Sequence, residues 1–301
     1  PDYRTTQSGG GLVTKDRTAI TFIEVSPGLA FHGKRWSLGF GYRITIASLQ
    51  RSQIIGLDSG VEFNNFELDL AGIDFKGLRI GFQFQPVDGL DIGFVYRHKI
   101  QPILKGDTAT FLNKSRGKTE MDVTLPSRLG LGIRGEIPLK EGMYIAVETD
   151  IEYAFQSQNE FSDIDTTKDD GSVETIKSFF NWQDALTLRL GLEVGVIEHL
   201  RLRAGYVFDE QVTNKSYASA FGTPPADTHT GTFGAGWDQG PWEVNVAYAY
   251  RSGSYDVNID DIQARTDQSR GIGGTCLTCS GEGTHEIDLH GFYLDFSYNW
   301  E

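Results

Sequence analysis

The stretch Leu186-Thr187-Leu188-Arg189-Leu190-Gly191-Leu192-Glu193-Val194-Gly195-Val196 alternates apolar with polar or small residues without a break. Side chains of a β-strand point to opposite faces in turn, so aliphatic groups cover one surface here while Thr, Arg, Gly and Glu cover the other. Helical spacing would scatter the same residues over all sides. The next segment repeats the pattern, with Leu200, Leu202, Ala204, Tyr206 and Phe208 set against Arg201, Arg203 and Gly205. Further on, Trp242, Val244, Val246, Tyr248 and Tyr250 alternate with Glu243, Asn245, Ala247 and Arg251. Extended along the chain, this reading places eleven strands near residues 18–33, 35–49, 66–86, 90–106, 117–136, 142–157, 180–196, 199–210, 228–239, 241–254 and 285–300. A soluble sandwich uses strands of about five or six residues. Strands of ten or more are long enough to cross a bilayer at a tilt.

The connections carry a second signal. Short turns fall at Gly33-Lys34, Val87-Asp88-Gly89, Leu139-Lys140-Glu141, Ile197-Glu198 and Asp238-Gln239-Gly240. Long polar connections fall near 50–65, 107–116, 157–179, 211–227 and 255–284, in strict alternation with the short ones. That asymmetry belongs to outer-membrane barrels, which have tight turns on the periplasmic side and longer loops outside. One face gathers aromatic residues near strand ends, among them Trp36, Tyr42, Tyr96, Tyr153, Trp237, Trp242, Tyr250 and Tyr298, as interfacial girdles do. The other face carries Arg43, Arg79, Asp91, Arg97, Lys99, Arg128, Arg134, Glu148, Asp150, Glu152, Arg189, Glu193, Arg201, Arg203, Glu243, Arg251 and Asp295. So many charges do not fit a dry core, where each needs a partner against a large desolvation cost. A wet lumen accommodates them. The fold class is therefore all-β, a transmembrane antiparallel β-barrel. Among 301 residues, 41 acidic against 27 basic side chains give a net charge of -14, which argues against a nucleic-acid partner. No run of 18 apolar residues suits a membrane helix, and this does not bear on a barrel.

Several segments resemble the FadL/TodX family of outer-membrane transporters for long-chain fatty acids and other hydrophobic compounds. They are Leu125-Pro126-Ser127-Arg128-Leu129-Gly130-Leu131-Gly132 followed by Tyr144-Ile145-Ala146-Val147-Glu148-Thr149-Asp150, then Trp182-Gln183-Asp184 leading into Leu188-Arg189-Leu190-Gly191-Leu192-Glu193. Leu202-Arg203-Ala204-Gly205-Tyr206, Pro224-Pro225-Ala226-Asp227-Thr228-His229 and Gly93-Phe94-Val95-Tyr96-Arg97-His98-Lys99 belong to the same set. The last strand, with Gly291, Leu294, Phe296 and Trp300, is similar to a barrel-assembly signal but ends in Glu301. The resemblance implies a fourteen-stranded barrel plugged by an N-terminal hatch, in the outer membrane of a Gram-negative bacterium. About eleven strands are present here, as one partial barrel domain over 1–301, with 1–17 the end of an external loop and 18–300 the strands. Parity agrees, since eleven antiparallel strands cannot close with regular pairing. The hatch and roughly three strands are then expected from a second chain or from sequence not included, in keeping with a start at Pro1.

The expected function is passive transport of fatty acids or other hydrophobic small molecules, with outer-membrane lipid and lipopolysaccharide around the barrel. The alternative is a related barrel anchoring an external protein assembly. Inward bases Arg97, Lys99, Arg189 and Arg203 are candidates to meet a carboxylate, with lumen salt bridges as the competing reading. Ile54, Ile55 and Leu57, in a loop over 50–63, are candidates for a small external apolar patch. Cys276 and Cys279 form a CxxC without a second pair of metal ligands, so a local disulfide is expected. Asp163, Asp165, Asp169, Asp170 and Glu174 lack EF-hand spacing and read as a solvated loop. The six His are scattered, and neither a G-x-S-x-G turn nor H-E-x-x-H is present, so no enzyme, metal or cofactor is expected.

Overall fold

The computed structural model describes residues 2–6, 12–57, 62–109, 116–140, 142–159, 161–218, 224–263 and 282–298. Its strands are β1 (Asp2–Thr6), β2 (Leu12–Val25), β3 (Gly28–His32), β4 (Trp36–Leu57), β5 (Glu62–Val87) and β6 (Leu90–Arg97). Next come β7 (Ile103–Ala109), β8 (Arg116–Asp122), β9 (Arg128–Pro138), β10 (Tyr144–Ala154), β11 (Phe161–Thr167) and β12 (Val173–Phe179). The series ends with β13 (Ala185–Ile197), β14 (Leu200–Asp209), β15 (Thr228–Gln239), β16 (Trp242–Val257) and β17 (Gly283–Tyr298), with one short helix, α1 (Ile259–Gln263), before the last strand.

A single antiparallel ladder runs β2–β4–β5–β6–β9–β10–β13–β14–β15–β16–β17, and β3 continues β2 along β4. The short turns fall within two residues of where the sequence puts them, with Glu141 outside the described residues. At Gly89 the chain needs φ of +80°, and a Cβ there would lie 2.7 Å from the Glu136 carbonyl, so only glycine serves. Among the described residues no ladder joins β17 back to β2 or β3. Phe292 and Leu294 on β17, at 81% and 77% exposed, and Leu29 on β3, at 72%, stand at the two edges of the sheet.

Register fixes the two faces. On the outward side Leu190, Tyr206, Gly231, Tyr250 and His290 form one row around the wall. Trp242 and Tyr298 are opposite one another at the lower rim, with rings 4.5 Å apart. From Trp242 to Tyr250 is eight steps along β16, which at ~3.4 Å each and a ~40° tilt gives a belt roughly 21 Å tall, close to the ~25 Å apolar band of outer-membrane barrels.

Four expectations are corrected. Residues 2–6 and 12–17 are strand rather than the end of a loop. The 50–63 region is not a loop throughout, because β4 carries Ile54, Ile55 and Leu57 in regular pairing with β2, up to Leu57↔Leu12. The 157–179 connection holds the β11–β12 hairpin. The segments 90–106 and 117–136 each break in two, and the cause is proline. Pro102 and Pro126 have no N–H for the ladder, so the chain leaves β-geometry beside each. The two breaks meet through Ile100 N–H donating to Leu125 O (2.9 Å) and Leu125 N–H to Ile100 O (2.8 Å).

Beyond this bend an outer sheet departs from the barrel wall in the order β1–β2–β4–β5–β7–β8–β11–β12. It curls tightly. A Cβ on Gly72 would run into the Ile103 carbonyl, and one on Gly106 into the Asp69 carbonyl. The inner side of the curl is the apolar core of the molecule, made by Ala47, Leu49, Leu68, Leu70, Leu104 and Ile164 with Met121 and Val123 packed against it.

Candidate functional site

Down the inner face, chemistry changes with depth. At the outer end Ile20 of β2 stands opposite Leu49 of β4, which stands opposite Leu70 of β5. One step lower, Phe22 is opposite Ala47. Leu70 and Leu104 are fully buried, whereas Ile20 and Phe22 remain 53% and 40% exposed and offer apolar surface to the lumen. A cavity of about 860 Å³ opens at this end, with Arg17, Arg51, Asp69, Asp107, Lys118 and Asp169 around it.

Directly below Phe22 the wall becomes ionic. Glu24 binds Arg43 (2.6 Å) and Arg79 (3.1 Å). The register then sets Arg79 opposite Arg97 and Arg97 opposite Arg128, three guanidinium groups side by side on β5, β6 and β9. Like charges directly across a sheet repel, so such a row needs anions nearby. Arg79 has Glu24, and Arg128 has Glu152 at 3.0 Å. Arg97, in the centre, has no ion pair among the described residues, and its Nε is buried without a hydrogen-bond partner. A buried N–H left unpaired is costly, and a carboxylate suits a guanidinium best because the pair forms two parallel hydrogen bonds.

The remaining inward bases are occupied. Arg189 lies 3.7 Å from Glu152. Arg203 binds Glu193 at 2.5 Å and donates to Asn245 Oδ1 at 2.8 Å. Glu193 also pairs with Arg134 (3.4 Å), and Arg201 with Glu243 (2.9 Å). This network lines a second cavity of about 310 Å³ against β10, β13 and β14. Lys99 is exposed beyond the arginine row, and its backbone N–H donates to Ser127 Oγ at 3.0 Å. Thus Arg97 and Lys99 share one end of β6, Arg189 shares Glu152 with Arg128 of the arginine row, and Arg203 belongs to the separate network around Glu193. Ile54, Ile55 and Leu57 sit in the outer end of β4, and Cys276 and Cys279 lie outside the described residues. No cluster of three or more metal-ligating side chains occurs among the described residues.

Sequence reasoning missed the inward apolar wall. Its signal was present, because Ala19-Ile20-Thr21-Phe22-Ile23-Glu24-Val25 is apolar at both parities rather than one. A strand reads that way when both of its faces meet apolar surroundings.

No curated protein sequence matches the chain. The solved structure of a Pseudomonas aeruginosa FadL homologue is similar over 100% of this chain and 73% of its own length, at 17% identity and a TM-score of 0.69. The toluene transporter TbuX of Ralstonia pickettii matches at 11% identity and a TM-score of 0.62, covering 99% of this chain and 80% of that one. The toluene transporter TodX of Pseudomonas putida gives 14% and 0.62, covering 96% and 70%. At such identities these likenesses establish the fold. The model of the family described as outer membrane protein transport protein (OMPP1/FadL/TodX) matches residues 2–276, and with the eleven-pass wall and aromatic belts above, it shows that this outer-membrane barrel belongs to that family.

Proposed function

We propose that the chain carries amphipathic hydrophobic molecules, fatty acids in particular, across the outer membrane by passive diffusion. The family is one of outer-membrane transporters of hydrophobic compounds. The finer reading rests on one observation, the passage of the inner face from exposed Ile20 and Phe22 to an arginine row whose central member, Arg97, has no ion pair among the described residues. An acyl tail against the apolar wall directs its carboxylate down the lumen, past Glu24, toward the row of Arg79, Arg97 and Arg128. Entry then needs no energy source, because tail and head each exchange water for a fitting surface. A carboxylate meeting Arg97 gains a charge-assisted hydrogen bond of ~1.5–3 kcal/mol, or roughly tenfold or more in affinity.

The test compares binding of cis-parinaric acid and its methyl ester to detergent-purified protein by fluorescence. The acid is expected to bind at least tenfold more tightly than the ester, and Arg97→Gln to remove that difference. Equal binding of both by the unsubstituted chain would replace fatty acids by neutral hydrocarbons as substrates. Binding of neither, with a stoichiometric protein partner recovered on the outer loops, would instead favour an anchoring role.

A further inference from the structure

Glu24 holds two arginines of the inner wall, and it holds them unequally. Arg43 is fully engaged: Nε (2.7 Å) and Nη2 (2.6 Å) donate to Glu24 Oε2, and Nη1 donates to the His98 carbonyl at 3.2 Å. Its side chain is 7% exposed, so it is a fixed part of the wall. Arg79 is held by less. Its Nη2 reaches Glu24 Oε1 at 3.1 Å, an oxygen that also accepts from the Ser26 hydroxyl at 2.8 Å. The Nε of Arg79 is buried without a hydrogen-bond partner, while the side chain as a whole is 35% exposed.

The path of the Arg79 side chain explains the difference. A Cβ built on Gly41 of β4 would lie 3.5 Å from Arg79 Cβ and 4.0 Å from its Cδ. The stem therefore crosses the bare backbone of β4 to reach Glu24 on β2, and leans away from Arg97 on the other side. Arg79 and Arg97 stand directly opposite in the ladder, and each leaves an Nε–H without an acceptor. Their strands are ~5 Å apart, so the two guanidinium groups can share one carboxylate, as Arg43 and Arg79 share Glu24.

We propose that Arg79 is an exchangeable arm and that Glu24 is its resting partner. In the empty channel Glu24 draws Arg79 over Gly41, which keeps the like charges of Arg79 and Arg97 apart. A substrate carboxylate arriving at Arg97 takes Arg79 over, while Glu24 keeps Arg43 and Ser26. One carboxylate replaces another at Arg79, so no charge is left unpaired in the wall by the exchange. Glu24 thereby sets the affinity, because it competes with the substrate for one of two arginines and recovers Arg79 when the substrate leaves. The exchange rests on the carboxylate-bearing substrate proposed above and names the residues that tune its capture and release.

The test is a double-mutant cycle on the full chain in detergent, with cis-parinaric acid and its methyl ester as probes. Glu24→Gln keeps an acceptor for Arg43 and Ser26 but gives up the charge that holds Arg79. It should tighten the acid roughly fivefold or more and leave the ester unchanged, a gain that damage to the fold does not produce. Arg79→Gln should weaken the acid, and adding Glu24→Gln to it should then change nothing further. Glu24→Asp, which withdraws the carboxylate from Arg79 by one methylene, should shift binding in the same direction as Glu24→Gln and carries the test if that variant does not fold. Unchanged or weaker acid binding in Glu24→Gln, with the acid still preferred over the ester by the unsubstituted chain, would overturn the exchange and leave the transport reading standing. Equal tightening with and without Arg79 would reduce Glu24 to general repulsion and overturn the arm. Equal binding of acid and ester by every protein of the cycle would overturn the substrate reading, and the exchange with it.

Discussion

Glu193 takes three donors at once on the inner wall: Arg203 at 2.5 Å, the Tyr144 hydroxyl at 2.7 Å and Arg134 at 3.4 Å. Its side chain is 20% exposed and that of Arg203 37%, so water screens part of the attraction. Glu193→Ala strands two guanidinium groups in the lumen, although Arg203 keeps Asn245 and Arg134 keeps Glu136 at 2.9 Å. The expected loss is about 1–2 kcal/mol once screening is allowed for, read as a lower urea midpoint for unfolding from micelles. Asp184, at the outer end of β13, shows the same logic in its titration. Burial pushes its carboxyl up, but the Ser157 backbone N–H and hydroxyl and the Tyr153 hydroxyl outweigh that and hold it below the usual aspartate range. A depressed folded pKa means stability that is present above the unfolded value of about 3.9 and disappears as pH falls through the folded value. Asp184→Asn should therefore flatten the stability loss on acidification below about pH 4, measured as unfolding midpoint against pH for the two proteins.

At the scale of elements, the outer sheet depends on places where backbone approaches backbone. Gly72 on β5 faces the Ile103 carbonyl and Gly106 on β7 faces the Asp69 carbonyl, so any side chain there pushes β5 and β7 apart. Gly106→Val should open the curl and expose Leu70 and Leu104 while leaving the membrane wall intact. Protease cleavage within 62–122 should become fast, with the heat-dependent gel mobility of the barrel unchanged; loss of both together would mean that the outer sheet and wall fold as one unit. The eleven passes were legible because a single bilayer imposes period two on every one of them. The outer sheet was not, since above the membrane that constraint ends. Pro102 and Pro126 were the readable warnings for the breaks after β6 and before β9. In β5 the apolar residues shift parity from Ile73 and Phe75 to Leu78, Ile80, Phe82 and Phe84. That shift is the trace of the irregular register around Arg43 and Gly77, which turns Leu70 inward and Leu78 outward. For the site, Arg97 was legible as an inward base, but its lack of a carboxylate among the described residues depends on which strands are neighbours, and period two says nothing of neighbours.

For the molecule as a whole, each face must meet a different solvent, and a pair of adjacent residues can test that division. Val246 points outward on β16, 49% exposed, four residues above Trp242 and four below Tyr250, and so lies at the middle of the belt. Ala247 is its neighbour on the opposite face, across from Gly234 on β15 and Tyr293 on β17. Val246→Arg would put a guanidinium into hydrocarbon at the bilayer midplane, at a cost of ~2–4 kcal/mol for a barrel of this type. Ala247→Arg adds the same group to a lumen that already carries Arg203 and Arg251, with Asp295 near enough to answer it, and the expected change is below about 1 kcal/mol. Folding into phospholipid vesicles, followed by the fraction that resists unfolding in urea, measures both. A large penalty for Val246→Arg with little for Ala247→Arg fits a lipid face and a wet face separated by one residue. Equal penalties would mean that the inner wall is as dry as the outer, and the ionic networks around Glu193 and Glu24 would then have to be understood as buried pairs rather than a hydrated lining.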